Sequence, residues 1–432
     1  MKVLLSSIGC RLNQSEIETM SRQLLAQGHE LVTDTETADK VIINTCAVTS
    51  QAARDARTQT RRIQRQNPNT EIFLTGCYAT VAPYELQQLE GSLHVIPNKD
   101  KHRLVRMLDP QKTDDLPVYD HEPVMREYLR GQTGNTRAFV KAQDGCNNRC
   151  TFCITTIARG PGRSRPVANI VSEIQAMATA GYKEVVLTGV HLGSYGRDFK
   201  TSADLRQLVK TILHHTDIPR LRLSSLEPWD LAPEFFTLWQ NPRLLPHLHM
   251  PLQSGSDRIL RLMARRTSRR DFRRLAASAR AHIPDLNLST DMILGFPGES
   301  RYDFEQSLDF VHEIGFSRLH AFTYSPRPGT AAAGMPMQIP HATKKERTRQ
   351  MIELGKQLSL AYHQRFFGQT RPVLWETNIG ANKENLLWSG YSDNYIRITA
   401  AGPVNLYNSV TPTRLLEVQP GGATGTIVWP SA

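Results

Sequence analysis

A chain of 432 residues exceeds one ordinary hydrophobic core, so two or three domains are expected. Its 40% hydrophobic and 22% charged residues suit a globular protein in water, with no run of 18 apolar residues to span a membrane. An excess of 52 basic over 41 acidic residues, net +11, favours a polyanionic partner such as nucleic acid. The opening MKVLLSSIG reaches polar and turn-forming residues too soon for a signal-peptide core, so a cytoplasmic location is expected.

Three short apolar stretches come first, KVLLSS, ADKVIINT and TEIFLTG, and each runs into a small residue and then a cysteine: Cys10, Cys46 and Cys77. Helical patterns follow each one, NQSEIETMSRQLLAQG, SQAARDARTQTRRIQRQ and APYELQQLEG. Such alternation makes βα units and a parallel sheet, in which residues just past the carboxyl ends of the strands converge on one crevice. One cysteine alone reads as a small buried hydrophobe; three at equivalent positions read as a site. In a reducing compartment they are not structural disulfides. Three thiolates suit a [4Fe–4S] cluster with one iron free, or a zinc completed by another ligand. Arg54, Arg57, Arg61, Arg62 and Arg65 follow helical spacing here.

From Arg137 the pattern begins again. RAFVKAQDG reads as a strand entering a loop that carries Cys146, Cys150 and Cys153 as C-x3-C-x2-C, with Phe152 before the last. The paired C-x2-C spacing of a zinc ribbon is absent, and three tightly spaced thiolates again leave one metal position open. EVVLTGVHL, RLRLSSLEP, LLPHLHMPLQSGS, LNLSTDMILGFPGE and RLHAFTYSPRPGT continue as strands, about six βα units and a partial barrel with its site at the carboxyl ends. Glu227, Gln253 and Asp291 stand at those ends as candidates for cofactor hydrogen bonds, with loop capping the plainer alternative. Arg265 suits either a cofactor carboxylate or an RNA phosphate. His247 and His249 alternate on one strand and read as packing or loop hydrogen bonding rather than metal ligation. Arginines crowd between Arg258 and Arg274, a pattern suited to phosphate contacts.

KKERTRQMIELGKQLSLAYHQRFFG forms one helix, and five short strands then make a small barrel. On it Trp388, Tyr391, Tyr395 and Arg397 are candidates for base stacking, core packing being equally open.

These residues carry a family resemblance. The C-x3-C-x2-C loop with its aromatic, together with SSIGCRLNQSEIETM, NTCAVTSQAARDARTQTRRI and TGCYATVAP, resembles the radical S-adenosylmethionine methylthiotransferases along the whole chain. NTCAVT, KAQDGCNNRCTFC, TGVHLGSYG, RLSSLEP and PLQSGSDRILRLM are most similar to the tRNA N6-threonylcarbamoyladenosine branch. The resemblance implies an α/β chain in three parts. These are an N-terminal Rossmann-like parallel-sheet domain over 1–110, a central partial (β/α)6 radical-SAM barrel over 132–365, and a small C-terminal β-barrel, the TRAM RNA-binding domain, over 368–431. It implies two [4Fe–4S] clusters, one on Cys146, Cys150 and Cys153 and one on Cys10, Cys46 and Cys77. It also implies S-adenosylmethionine near Phe152, Glu227, Gln253, Arg265 and Asp291. The expected reaction abstracts hydrogen from carbon 2 of the modified adenosine at tRNA position 37 and installs a methylthio group. Partners would be the tRNA anticodon loop and an electron donor such as flavodoxin or ferredoxin, with no membrane. The rival substrates are isopentenyladenosine-37 and a ribosomal-protein aspartate; the rival class is an Fe–S redox-sensing RNA-binding protein. Two departures bear on how the base is held. Thr155, Thr156 and Ile157 replace Val-Pro-Tyr, and Thr267 replaces an aromatic.

Overall fold

The computed structural model describes residues 1–109, 136–382, 385–403 and 405–429; residues 110, 132–135 and 430–431 of the expected divisions lie outside them. The first part is a parallel sheet of β1 (Lys2–Ser7), β2 (Glu30–Val32), β3 (Lys40–Thr45), β4 (Glu71–Gly76) and β5 (Leu93–Ile96), ordered β2-β1-β3-β4-β5. The three expected strands are its centre. The two unexpected edge strands are three and four residues long, too short for a hydrophobic period to register. Helices α1 (Arg11–Ala26), α2 (Ser50–Gln66) and α3 (Cys77–Val81) follow β1, β3 and β4. On α2 the alanines, Thr60 and Ile63 are buried, while Arg54, Arg61, Arg62 and Arg65 stay exposed.

The central part has the six expected parallel strands: β6 (Arg137–Asp144), β8 (Glu184–Gly189), β9 (Arg220–Leu223), β10 (His247–His249), β11 (Asn287–Leu294) and β12 (Arg318–Thr323). A two-residue strand, β7 (Arg163–Ser164), pairs antiparallel to β6 and returns the cysteine loop to the sheet. The ladder is interrupted between β9 and β10 and bridged there by Leu245 N–H to Leu221 O and Leu226 N–H to His249 O, both 2.9 Å. Beyond the long helix His341–Gln364, five strands close a barrel: β13 (Thr370–Asn382), β14 (Asn385–Ser392), β15 (Arg397–Gly402), β16 (Val410–Gln419) and β17 (Gly422–Ile427).

These parts share apolar packing. Ile154 and Ala158, just after the C-x3-C-x2-C loop, are buried with Leu74, Tyr78 and Leu86 of the N-terminal sheet. Tyr362 of the long helix and Phe366 just past its end join the core of the small barrel. Among the described residues no helix is long and apolar enough to cross a membrane.

Candidate active site

In the parallel order β2-β1-β3 the connections after β1 and β3 run toward opposite edges of the sheet, so their loops part and leave a crevice at the carboxyl ends. Cys10 follows β1, Cys46 follows β3 and Cys77 follows β4. Close approach of these loops is possible because of glycine. Gly9 has φ +111°, and a Cβ there would lie 2.4 Å from Cys46 Cβ; Gly76 has φ +101°, and a Cβ there would meet Thr45 O at 2.2 Å. The loop bearing Cys146, Cys150 and Cys153 leaves the carboxyl end of β6. All six thiols are free and line one cavity of about 650 Å³.

Several of the sulfurs accept hydrogen bonds. Backbone N–H groups of Val48 and Asn148 donate to Cys46 Sγ and Cys146 Sγ, each at 3.4 Å. Asn98 Nδ2 donates to Cys77 Sγ at 3.7 Å, and Arg265 Nη1 to Cys150 Sγ at 3.9 Å. Donors to sulfur are the second shell a metal-bound thiolate uses, so the residues present fit iron–sulfur ligation. Burial pushes the Cys46 thiol up to about 12 and the Cys150 thiol up to about 11, the latter opposed by Arg265. Left to themselves these thiols stay protonated; a bound cation would release the protons.

Between the two sets of cysteines lies a buried ionic network. Arg159 Nη1 donates to Glu16 Oε1 at 2.8 Å and to Asp144 Oδ1 at 2.9 Å, and its Nη2 to Asn13 Oδ1 at 2.9 Å. Lys101 Nζ reaches Glu16 Oε2 at 2.7 Å and Asn44 Oδ1 at 3.1 Å. The cations around Glu16 hold its carboxyl well below the usual range despite burial. Arg159 also faces the cavity, where its charge opposes the upward push of burial on Cys10. Sequence patterning missed this group, because Glu16 and Arg159 are far apart in the chain and each stands in an ordinary helical context.

The other anticipated residues fall as follows. Phe152, Glu227, Gln253, Arg265 and Asp291 all line the cavity. Arg265 is buried, pairs with Glu227 Oε2 at 2.6 Å, lies 4.4 Å from the Trp229 ring and borders the cavity. Asp291 pairs with His249 Nε2 at 3.2 Å, and His247 is buried against Tyr395, as expected of packing histidines. Thr155 and Thr156, where the expected pattern differs, line the cavity, and Thr155 hydrogen bonds oppose the upward push of burial on the Cys153 thiol. His191 was not anticipated. It lies against Cys146 and is 2.5 Å from Asp230 Oδ2, and these partners raise it to about 9 against the effect of burial.

Of the barrel aromatics, Trp388 is buried in the core of the small barrel, while Tyr395, packed among Arg11, Arg137 and Arg222, borders the cavity. Tyr391 stacks on Tyr395 at 4.8 Å and lines the cavity, while Arg397 is exposed. Within the arginine run between Arg258 and Arg274, Arg258 binds Asp303, Arg265 binds Glu227 and Arg273 binds Glu313, while Arg261, Arg266 and Arg270 are exposed. Arg61 and Arg62 of α2 are exposed and have no ion-pair partner among the described residues.

An open barrel of six parallel strands, a C-x3-C-x2-C loop at its carboxyl end and free thiols facing its cavity define the class as a radical S-adenosylmethionine enzyme. The Radical SAM superfamily model matches residues 140–311, and the model described as Uncharacterized protein family UPF0004 matches residues 2–96. The chain belongs to the radical S-adenosylmethionine methylthiotransferase family. It is 33% identical over 422 residues to the threonylcarbamoyladenosine tRNA methylthiotransferase MtaB of Bacillus subtilis, covering 96% of this chain and 94% of that one. The protein of the same name from Thermotoga maritima is 36% identical over 419 residues, covering 96% and 95%. The tRNA-2-methylthio-N(6)-dimethylallyladenosine synthase of Moorella thermoacetica is 34% identical over 427 residues, covering 95% of each chain. In fold the chain is similar to the radical S-adenosylmethionine methyltransferase TsrM of Kitasatospora setae, with TM-score 0.56, 15% identity, and 77% and 75% of the two chains covered.

Proposed function

We propose that this protein installs a methylthio group at carbon 2 of N6-threonylcarbamoyladenosine at tRNA position 37. The observation that carries the reading is the convergence of two cysteine triads on one cavity, each triad with one ligand fewer than a four-metal cluster needs. Cys146, Cys150 and Cys153 would hold one [4Fe–4S] cluster and Cys10, Cys46 and Cys77 the other. With S-adenosylmethionine bound, these groups supply reductive cleavage, sulfur and a methyl group. Three units carry out the work, residues 1–110, 132–365 and 368–431. Around the first cluster, Arg265 and Glu227 are held as a buried pair beside Cys150, suited to orient the charged groups of the cofactor. Phe152, Gln253 and Asp291 complete that wall. The two triads border a shared space, so activation and sulfur transfer would take place within one cavity. Partners are the tRNA anticodon loop and an electron donor such as flavodoxin or ferredoxin.

The test is anaerobic reconstitution with iron and sulfide, reduction, and incubation with S-adenosylmethionine and tRNA bearing N6-threonylcarbamoyladenosine. Mass spectrometry of the nucleosides is expected to show its 2-methylthio derivative. Iron near four atoms per chain instead of eight, or cofactor cleavage with no methylthio product, would defeat the reading.

The exposed arginines of α2 supply a second measurement. Arg61→Ala with Arg62→Ala should weaken tRNA binding and reduce the slope of log affinity against log salt by up to about two, near 0.9 for each lost phosphate contact. An unchanged slope would make this helix face a solvated surface.

A further inference from the structure

Strand β12 is the open edge of the partial barrel, and its alternate residues Arg318, His320 and Phe322 line the cavity. In register they lie beside Ser289, Asp291 and Ile293 of β11. Phe322 is at the carboxyl end of the strand, the end at which the cysteine loops gather, and Arg318 is four residues deeper, about 13 Å along a strand. Arg318 is exposed to the cavity and has no hydrogen bond or ion pair among the described residues. Arg11 enters the same space from the start of α1. It donates from Nη2 to Tyr395 Oη at 2.6 Å and has no carboxylate partner among the described residues.

The nearby acids do not neutralise these two guanidinium groups. Asp291 is paired with His249, and Glu184 at the foot of the barrel with Arg220 and Arg222. The histidines between them add no positive charge: burial and then Arg318 push His320 down to about 4, and burial with Arg222 and Arg11 pushes His247 well below its ordinary value. This end of the cavity is therefore a cationic recess with unsatisfied planar donors, the chemistry that recognises a carboxylate. A hydrocarbon arm placed there would strip water from a guanidinium group and return no hydrogen bond.

We propose that Arg318, assisted by Arg11, reads the free carboxylate of the amino-acid arm on the substrate adenosine and so selects an anionic N6 substituent over an apolar one. This rests on the tRNA methylthiotransferase reading above. An adenine stacked near Phe322 would present its N6 arm along β12 toward Arg318, leaving carbon 2, which lies across N1 from the N6-bearing carbon, to face the cysteines.

The test uses reconstituted full-length enzyme and three anticodon stem-loop RNAs. They carry N6-threonylcarbamoyladenosine, its threonine-carboxamide analogue, or N6-dimethylallyladenosine. Wild type is expected to prefer the acid over the amide by at least tenfold in kcat/KM. Arg318→Gln should lose most of that preference through KM, and Arg318→Lys should keep part of it. If Arg318→Gln retains the full preference while wild type modifies the threonylcarbamoyl RNA, the proposal fails alone. If Arg318→Gln instead weakens S-adenosylmethionine binding to the same degree, the carboxylate read is that of the cofactor, and the proposal also fails. If wild type modifies only the dimethylallyl RNA, the substrate reading falls and takes this proposal with it.

Discussion

Cys150→Ala protein is expected to form no 5′-deoxyadenosine and to hold about half the iron of wild type, while Cys46→Ala should hold half the iron and still form it. The two variants remove one ligand from each triad, and a cluster deprived of a thiolate in a three-cysteine site is not retained. Neither change opens a large void, since the deleted atom is a single sulfur facing an existing cavity. Arg265 and Glu227 lie beside the triad on β6, so cofactor cleavage is expected there. Cys46→Ala should therefore consume S-adenosylmethionine without producing methylthiolated tRNA. Anaerobic iron analysis and mass spectrometry of both products settle the matter. Cofactor cleavage by Cys150→Ala, or methylthiolation by Cys46→Ala, would show that the triads are wrongly assigned.

Arg159→Met should be the most damaging substitution away from the cysteines. Its guanidinium joins Glu16 of α1 to Asp144 at the end of β6, and all three side chains are largely buried. Removing one partner from such a network leaves charge uncompensated in a poorly solvated place, a cost of about 3–5 kcal/mol. The expected result is a clear fall in the thermal midpoint at fixed scan rate and loss of iron from both triads, because the same residue secures both loops. Arg159→Lys should recover part of the stability, since a point charge replaces the fork but not its geometry. An Arg159→Met protein with normal midpoint and full iron would reduce the network to a bystander. Glu16→Gln provides an independent check from the other side, where it leaves Arg159 and Lys101 facing a neutral amide.

Much of this was legible in the chain itself. Each N-terminal cysteine stands at the end of an apolar stretch of strand length, and period and spacing placed Cys10, Cys46 and Cys77 at equivalent points of a parallel sheet. C-x3-C-x2-C is a local signal, complete within eight residues, and needs no fold to be read. The six central strands and the five of the small barrel were equally visible, because alternation and turn residues act over short distances.

What depended on tertiary structure was relation across distance. The independence of the C-x3-C-x2-C loop, natural to assume from its compact spacing, is not what the fold provides: Ile154 and Ala158 complete the core of the N-terminal sheet. Trp388 and Tyr395 sit on a small barrel in the same sequence setting a base-stacking aromatic would have, and only packing shows that Trp388 faces the barrel core while Tyr395 turns toward His247 and the cavity. The arginines between Arg258 and Arg274 have the same charge in any list. Their meaning changes because Asp303, Glu227 and Glu313, remote in the chain for the most part, come to meet them. Local chemistry and periodicity are written residue by residue, so the sequence alone determined the two thiol triads, the parallel sheets and the family they belong to. Which charges are neutralised, and which, like Arg318, remain open to a ligand, is a sum over neighbours that only the folded chain assembles.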